Sequence, residues 1–128
     1  MAKNLLRQSA HLARTQTFNI DNGSGTTVDE ALFNSGPKGA RLTRVYALYQ
    51  EAAGTVAAGN FKLGVTAGGA TLVAATAYTN SAAVGDVTNG VILVDVIPPD
   101  TTVFVRHTGV AATAAGTASI AVEFVYNE

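Results

Sequence analysis

The run Ala118-Ser-Ile-Ala-Val-Glu-Phe-Val-Tyr126 sets Ile120, Val122, Phe124 and Tyr126 at alternate positions. That is the spacing of a strand with one face turned to a core. It is the clearest alternation in the chain, and the segments upstream repeat it. Residues 101–108 place Val103 and Val105 opposite Phe104 and Arg106, and residues 90–97 place Ile92, Val94 and Val96 on one face with Asp95 on the other. Residues 60–66 send Phe61, Leu63 and Val65 inward and Lys62, Gly64 and Thr66 outward. Residues 70–78 continue more weakly. Residues 40–50 are apolar on both faces, as in a central strand covered on both sides or packed on a partner. Residues 15–20 alternate with Gln16, Phe18 and Ile20 on one side.

Turn signals separate these runs. Asp21-Asn-Gly-Ser-Gly25 reads as a turn, and Asn34-Ser-Gly-Pro-Lys-Gly39 as a stop. Between them Thr27-Val-Asp-Glu30 matches a helix capping box and predicts one short helical turn. The Ala/Gly/Thr stretches 52–59 and 110–119 read as loops whose lack of charge suggests cover in an assembled state. About eight short strands with this punctuation predict an all-β, antiparallel sandwich or barrel, and the absence of strand–helix alternation argues against a parallel α/β sheet.

Residues 1–14 differ from the rest. Lys3, Arg7 and Arg14 occur there without an acid, and Leu5, Leu6, Ser9 and Leu12 fall near helical spacing. The segment reads as a frayed terminus, as an arm that orders on a neighbouring subunit, or as leader or tag residues. The organisation expected is an arm over 1–14 and a single β domain over 15–128.

The chain has 128 residues and a mass of 13.0 kDa, the size of one domain. Hydrophobic residues make up 48%, largely alanine and valine, without tryptophan. A core of such small side chains would gain from association. Only 13% of residues are charged and the net charge is -1, which leaves no basic face for nucleic acid. Cysteine is absent, removing disulfides and thiolate chemistry. No apolar run reaches membrane-spanning length, and Leu5-Leu6 is too little for a signal peptide, so synthesis in the cytosol without export is expected.

Catalytic constellations are not evident. His11 lies in the arm, His107 reads as a surface strand residue beside Arg106, and no Gly-x-Ser-x-Gly elbow is present. Nine acids are scattered singly without an aromatic platform for sugar. Asp21–Gly25 fails as a calcium loop because its twelfth position is Leu32. Tyr46 and Tyr49 point to opposite faces by parity, so they read as core rather than as a base-stacking pair. The expectation is a non-enzyme without cofactor, metal, nucleic acid, membrane or small-molecule substrate.

The run Val91-Ile-Leu-Val-Asp-Val-Ile-Pro-Pro-Asp-Thr-Thr-Val-Phe-Val-Arg-His-Thr-Gly109, an Ala/Thr/Gly loop, then Gly116-Thr-Ala-Ser-Ile-Ala-Val-Glu-Phe-Val-Tyr126, resembles small tailed-bacteriophage capsid decoration (cement) proteins. The resemblance is detailed over about 91–126 and one of style over 40–128. It implies a jelly-roll-like sandwich, commonly a homotrimer, on the capsid exterior of a virion assembled in the host cytoplasm. Such a protein binds the major capsid protein across neighbouring subunits. In that picture Lys3, Leu5, Leu6, Arg7, Leu12 and Arg14 are the partner-binding arm, the bases pairing with acidic capsid surface and the leucines supplying apolar area. The alternatives are another viral β-sandwich component (head fibre, tail or baseplate) and a carbohydrate-binding module.

Overall fold

The computed structural model describes residues 9–111 and 116–128. Ten strands follow in chain order: β1 (His11–Arg14), β2 (Phe18–Asn19), β3 (Thr27–Asn34), β4 (Ala40–Tyr49), β5 (Asn60–Gly64), β6 (Val73–Ala77), β7 (Val87–Asn89), β8 (Val96–Ile97), β9 (Thr102–Thr108) and β10 (Thr117–Tyr126). One sheet has the order β1-β10-β4-β7, with β2 also on β10 and β8 also on β4; the other has the order β3-β9-β5-β6. All pairings are antiparallel. The expected all-β sandwich is therefore what forms. Taking β1 with β2 and β7 with β8 as broken strands, the chain passes from one sheet to the other at every connection except β5 to β6.

The inner faces supply the core. Leu42, Val45, Ala47 and Tyr49 of β4 and Ile120, Val122 and Phe124 of β10 meet Phe61, Leu63, Val103 and Val105 from the other sheet. Phe33 of β3 stacks on Phe124 across the two layers at 3.8 Å. β4 lies between β10 and β7/β8, the central place its two apolar faces predict. A bulge at Thr43 leaves Thr43 and Arg44 both exposed between buried Leu42 and Val45, which restores the inward parity on either side.

Three expectations give way. Residues 27–34 form β3 rather than a helical turn, because pairing with β9 fixes them extended: Asp29 lies opposite Arg106 and Phe33 opposite Val103. A four-residue capping pattern is a local preference, and the long ladder overrides it. His107 is not a surface residue. It shares the parity of Val103 and Val105 and is only 2% exposed. Residues 90–97 are not one regular strand, as described below.

His11–Arg14, read from the sequence as the end of a segment with helical spacing, are an edge strand on β10, with His11 opposite Phe124 and Arg14 opposite Ala121. Thr15 then turns into the sandwich: its N–H donates to the Ile120 carbonyl at 3.0 Å, and its Oγ1 accepts from the Ile120 N–H at 3.0 Å. Lys3, Leu5, Leu6 and Arg7 lie outside the described residues.

Candidate interaction surface

The segment between β7 and β8 leaves one sheet, touches the other and returns. Gly90 N–H donates to the Val45 carbonyl of β4 at 2.8 Å. Ile92 then bridges to Val73 of β6, and Leu93 N–H donates to the Leu72 carbonyl at 2.7 Å. The Asp95 carbonyl accepts from Leu42 N–H at 2.8 Å, and Val96 and Ile97 rejoin β4 opposite Arg41 and Ala40. Gly90 marks the departure, where a Cβ would come within 2.8 Å of a Val73 methyl. The detour closes the side of the sandwich formed by β7/β8 and β6, using its backbone groups on both sheets.

Its side chains divide unevenly. Ile92 packs on the core and Ile97 is buried, but Val91 is 71% exposed, Leu93 57%, Val94 48% and Val96 57%. The single face expected for Ile92, Val94 and Val96 thus does not hold: Ile92 packs on the core while Val94 and Val96 are exposed. Both parities of 91–94 are apolar, a pattern equally suited to burial on two faces or to an outward-facing strip. Val84 and Val87 on the same stretch are also exposed. Isolated exposed valines are ordinary, whereas four large apolar side chains within six residues on a hydrogen-bonded backbone form a patch of the kind that marks contact with other molecules.

The opposite edge of the same sheet is β1. Leu12 is 55% exposed, and Leu12 and Arg14 stand on the outer face because their partners are Glu123 and Ala121. His11 faces the other way, stacked on Phe124 at 5.5 Å and edge-on to Tyr126 at 4.8 Å. Of the sequence-predicted arm residues, the structure therefore brings Leu12 and Arg14 together on one strand. A cleft of about 410 Å³ lies near this end, lined by residues 34–39, Tyr126 and Asn127.

Polar chemistry is concentrated at β3 and β9. Arg106 donates twice to the Asp29 carboxylate at 2.7 Å, and this guanidinium holds the Asp29 carboxyl below its ordinary range. His107 projects between the sheets, stacked on Phe18 at 3.7 Å with Nε2 3.3 Å from Glu30 Oε2. Burial pushes the imidazole pKa down, against the pull of Glu30 and Asp29. This is a satisfied interior histidine, held by packing and by one carboxylate. Among the described residues no group of three His, Cys, Asp or Glu is placed to hold a metal ion.

Tyr49 and Tyr46 separate as their parity requires. Tyr49 is buried, and its hydroxyl pairs with Thr88 Oγ1 at 2.6 Å and accepts from Thr79 N–H at 2.8 Å. Tyr46 lies on the outer face under the Arg44 guanidinium, 4.2 Å from the ring centre. The two tyrosines make no common stacking platform.

No protein-family model and no curated protein matches the chain. Among solved structures, the fold is similar to a chain of the capsid asymmetric unit of cyanophage Pam1. The TM-score is 0.58 with 19% identity, over 94% of this chain and 86% of that one. At that identity the likeness is one of fold.

Proposed function

We propose that this chain is a structural, non-catalytic component of a tailed-phage virion, made in the host cytoplasm. It decorates the exterior of the capsid and stabilises it by binding across neighbouring major capsid protein subunits. The observation that carries the reading is the shared architecture, over 94% of the chain, with a chain of a cyanophage capsid asymmetric unit. The strand order supports it: eight strand positions in two four-stranded layers, with the chain changing layer at every connection but β5 to β6, suits a jelly roll, a fold that recurs in viral capsid domains. The exposed strip at 91–96 supports it too, since a rigid apolar surface suits a protein whose work is contact.

In this reading several copies act together, as a trimer, so that individually modest contacts add through multivalency. Lys3, Leu5, Leu6 and Arg7, which precede β1 in the sequence, serve with Leu12 and Arg14 as the arm toward the capsid. No cofactor, metal, nucleic acid or membrane takes part.

The test is particle stability. Particles stripped of this protein should keep their shape but release DNA at a lower temperature, and adding back the full chain should restore the wild-type value. A chain lacking residues 1–8 should fold and yet restore less, and attachment of the full chain should weaken with salt, because exposed ion pairs are screened over about 10 Å at 0.1 M. Loss of infection with unchanged capsid stability would overturn decoration in favour of a fibre, tail or baseplate role.

A further inference from the structure

We infer that the strip at residues 91–96 is one half of a head-to-tail contact between copies of this chain, and that the other half is the β1 edge of the next copy. The strip is prepared for contact in a way that an ordinary loop is not. Hydrogen bonds to Val45, Leu72 and Leu42 fix its backbone from both sheets, while Val91, Leu93, Val94 and Val96 face outward. Covering them therefore costs little ordering of the main chain.

Charge selects the occupant. From residue 63 to residue 105 the sequence has no Lys, Arg or His, and the stretch carries Asp86, Asp95 and Asp100. Asp95 lies within the strip and is exposed; Arg41, the ladder partner of Val96, is exposed beside it on β4. Two strips facing each other would offer Asp95 only Arg41, which already stands beside it in each copy, so a self-complementary pairing gains little from charge. A surface that is apolar and basic is favoured instead. The N-terminal edge is such a surface: β1 presents Leu12 and Arg14 together on the outer face, and Glu123, opposite Leu12, lies 3.9 Å from the Arg44 guanidinium, which leaves Arg14 without an acid opposite it in the ladder. No described strand pairs with the outer side of β1.

The two surfaces stand at opposite edges of one sheet. A contact between different surfaces repeats from copy to copy until it closes into a ring or runs on as a filament. Each copy in a ring makes two such contacts. That matters because one strip falls short of the roughly 800 Å² per partner of a standard stable interface. The inference rests on the trimer of the proposed function and names the surfaces that join its copies; it needs no capsid, so its test is separate from that of attachment to the capsid.

The experiment is the mass of the full chain by light scattering and sedimentation across the micromolar range. It uses wild type, Leu93→Asp and Leu12→Asp, each checked for an unchanged circular-dichroism spectrum. Wild type should associate, and each variant alone should weaken association by about tenfold or more. An equimolar mixture of the two variants should associate more than either variant alone but less than wild type, because Leu12→Asp keeps an intact strip and Leu93→Asp keeps an intact β1 edge, and the mixed pair makes one such contact where a copy in a ring makes two. Charge exchange gives a second check: Asp95→Lys and Arg14→Glu should each weaken association, and the double variant should regain part of it. A monomeric wild type overturns the inference. So does association that survives Leu93→Asp. If Leu93→Asp disrupts assembly while Leu12→Asp does not, the β1 edge is the wrong occupant and the inference fails. If the wild type is a monomer and Leu93→Asp instead loses particle attachment, the strip belongs to the capsid contact, which overturns this inference and the trimer and leaves attachment to the capsid intact.

Discussion

The centre of β10 and the strip between β7 and β8 are built from the same kinds of side chain with opposite fates. Ile120 and Val122 are fully buried, flanked by β1 and β4 and covered by the second sheet. Val91 and Leu93 stand mostly in solvent, on a segment that touches the edges of both sheets without being covered by either. Composition is shared, so composition does not decide burial. Position in the sheet does. An interior strand has neighbours on both sides and a layer beneath it, whereas an edge segment has one side left for whatever docks there. The same residue type is therefore buried core in one place and solvent-facing surface in the other.

That contrast breaks most easily at the centre. Ile120→Ala should destabilise the isolated domain by about 2–5 kcal/mol, since deleted methyl groups leave a cavity between two layers that cannot fully collapse. Urea denaturation measures it, and a loss no larger than that of an edge substitution would erase the distinction between the two regions.

A pH series sharpens it at a second interior point. In the unfolded chain His107 titrates near its ordinary value of 6.5, while burial lowers the value in the folded domain. The unfolded state therefore binds more protons in the window below about 6.5, and stability falls as pH drops through that window to the lowered folded value. His107→Phe, which keeps a ring against Phe18, should flatten this slope. A slope of opposite sign would mean that Glu30 outweighs burial and that the imidazole is held as a cation.

The smallest expected effect lies at the strip. Leu93→Ser should change the stability of the isolated domain by no more than about 0.5 kcal/mol, as for other surface positions, while still weakening association. A loss comparable with Ile120→Ala would show that the strip is core after all.

The interior strands were legible because their pattern obeys one local rule. Residues 60–66, 101–108 and 118–126 alternate and residues 40–50 are apolar on both faces, and β5, β9, β10 and β4 form there. The same rule, carried two residues past Val105, places His107 inside; its polarity concealed that, because a partner such as Glu30 is supplied by a strand 77 residues away. Thr27–Glu30 misled for a related reason, since its local helix signal competes with a ladder to β9 that no short window contains. The strip was the hardest to read. Four consecutive apolar residues at 91–94 give no parity, and only the detour from Gly90 to Ile97 shows which of them turn outward. Of the arm, Leu12, read from the sequence near helical spacing, stands with Arg14 on the outer face of a strand.

The account rests on apolar side chains that are exposed in the single chain and covered in its working assembly. Hydroxyl-radical footprinting of residues 91–96, in a dilute isolated chain and in the purified particle, tests this directly. Labelling of Val91 and Leu93 should be strong in the isolated chain and fall severalfold in the particle, with Ile120 weakly labelled in both. Equal labelling of the strip in the two states would contradict the account.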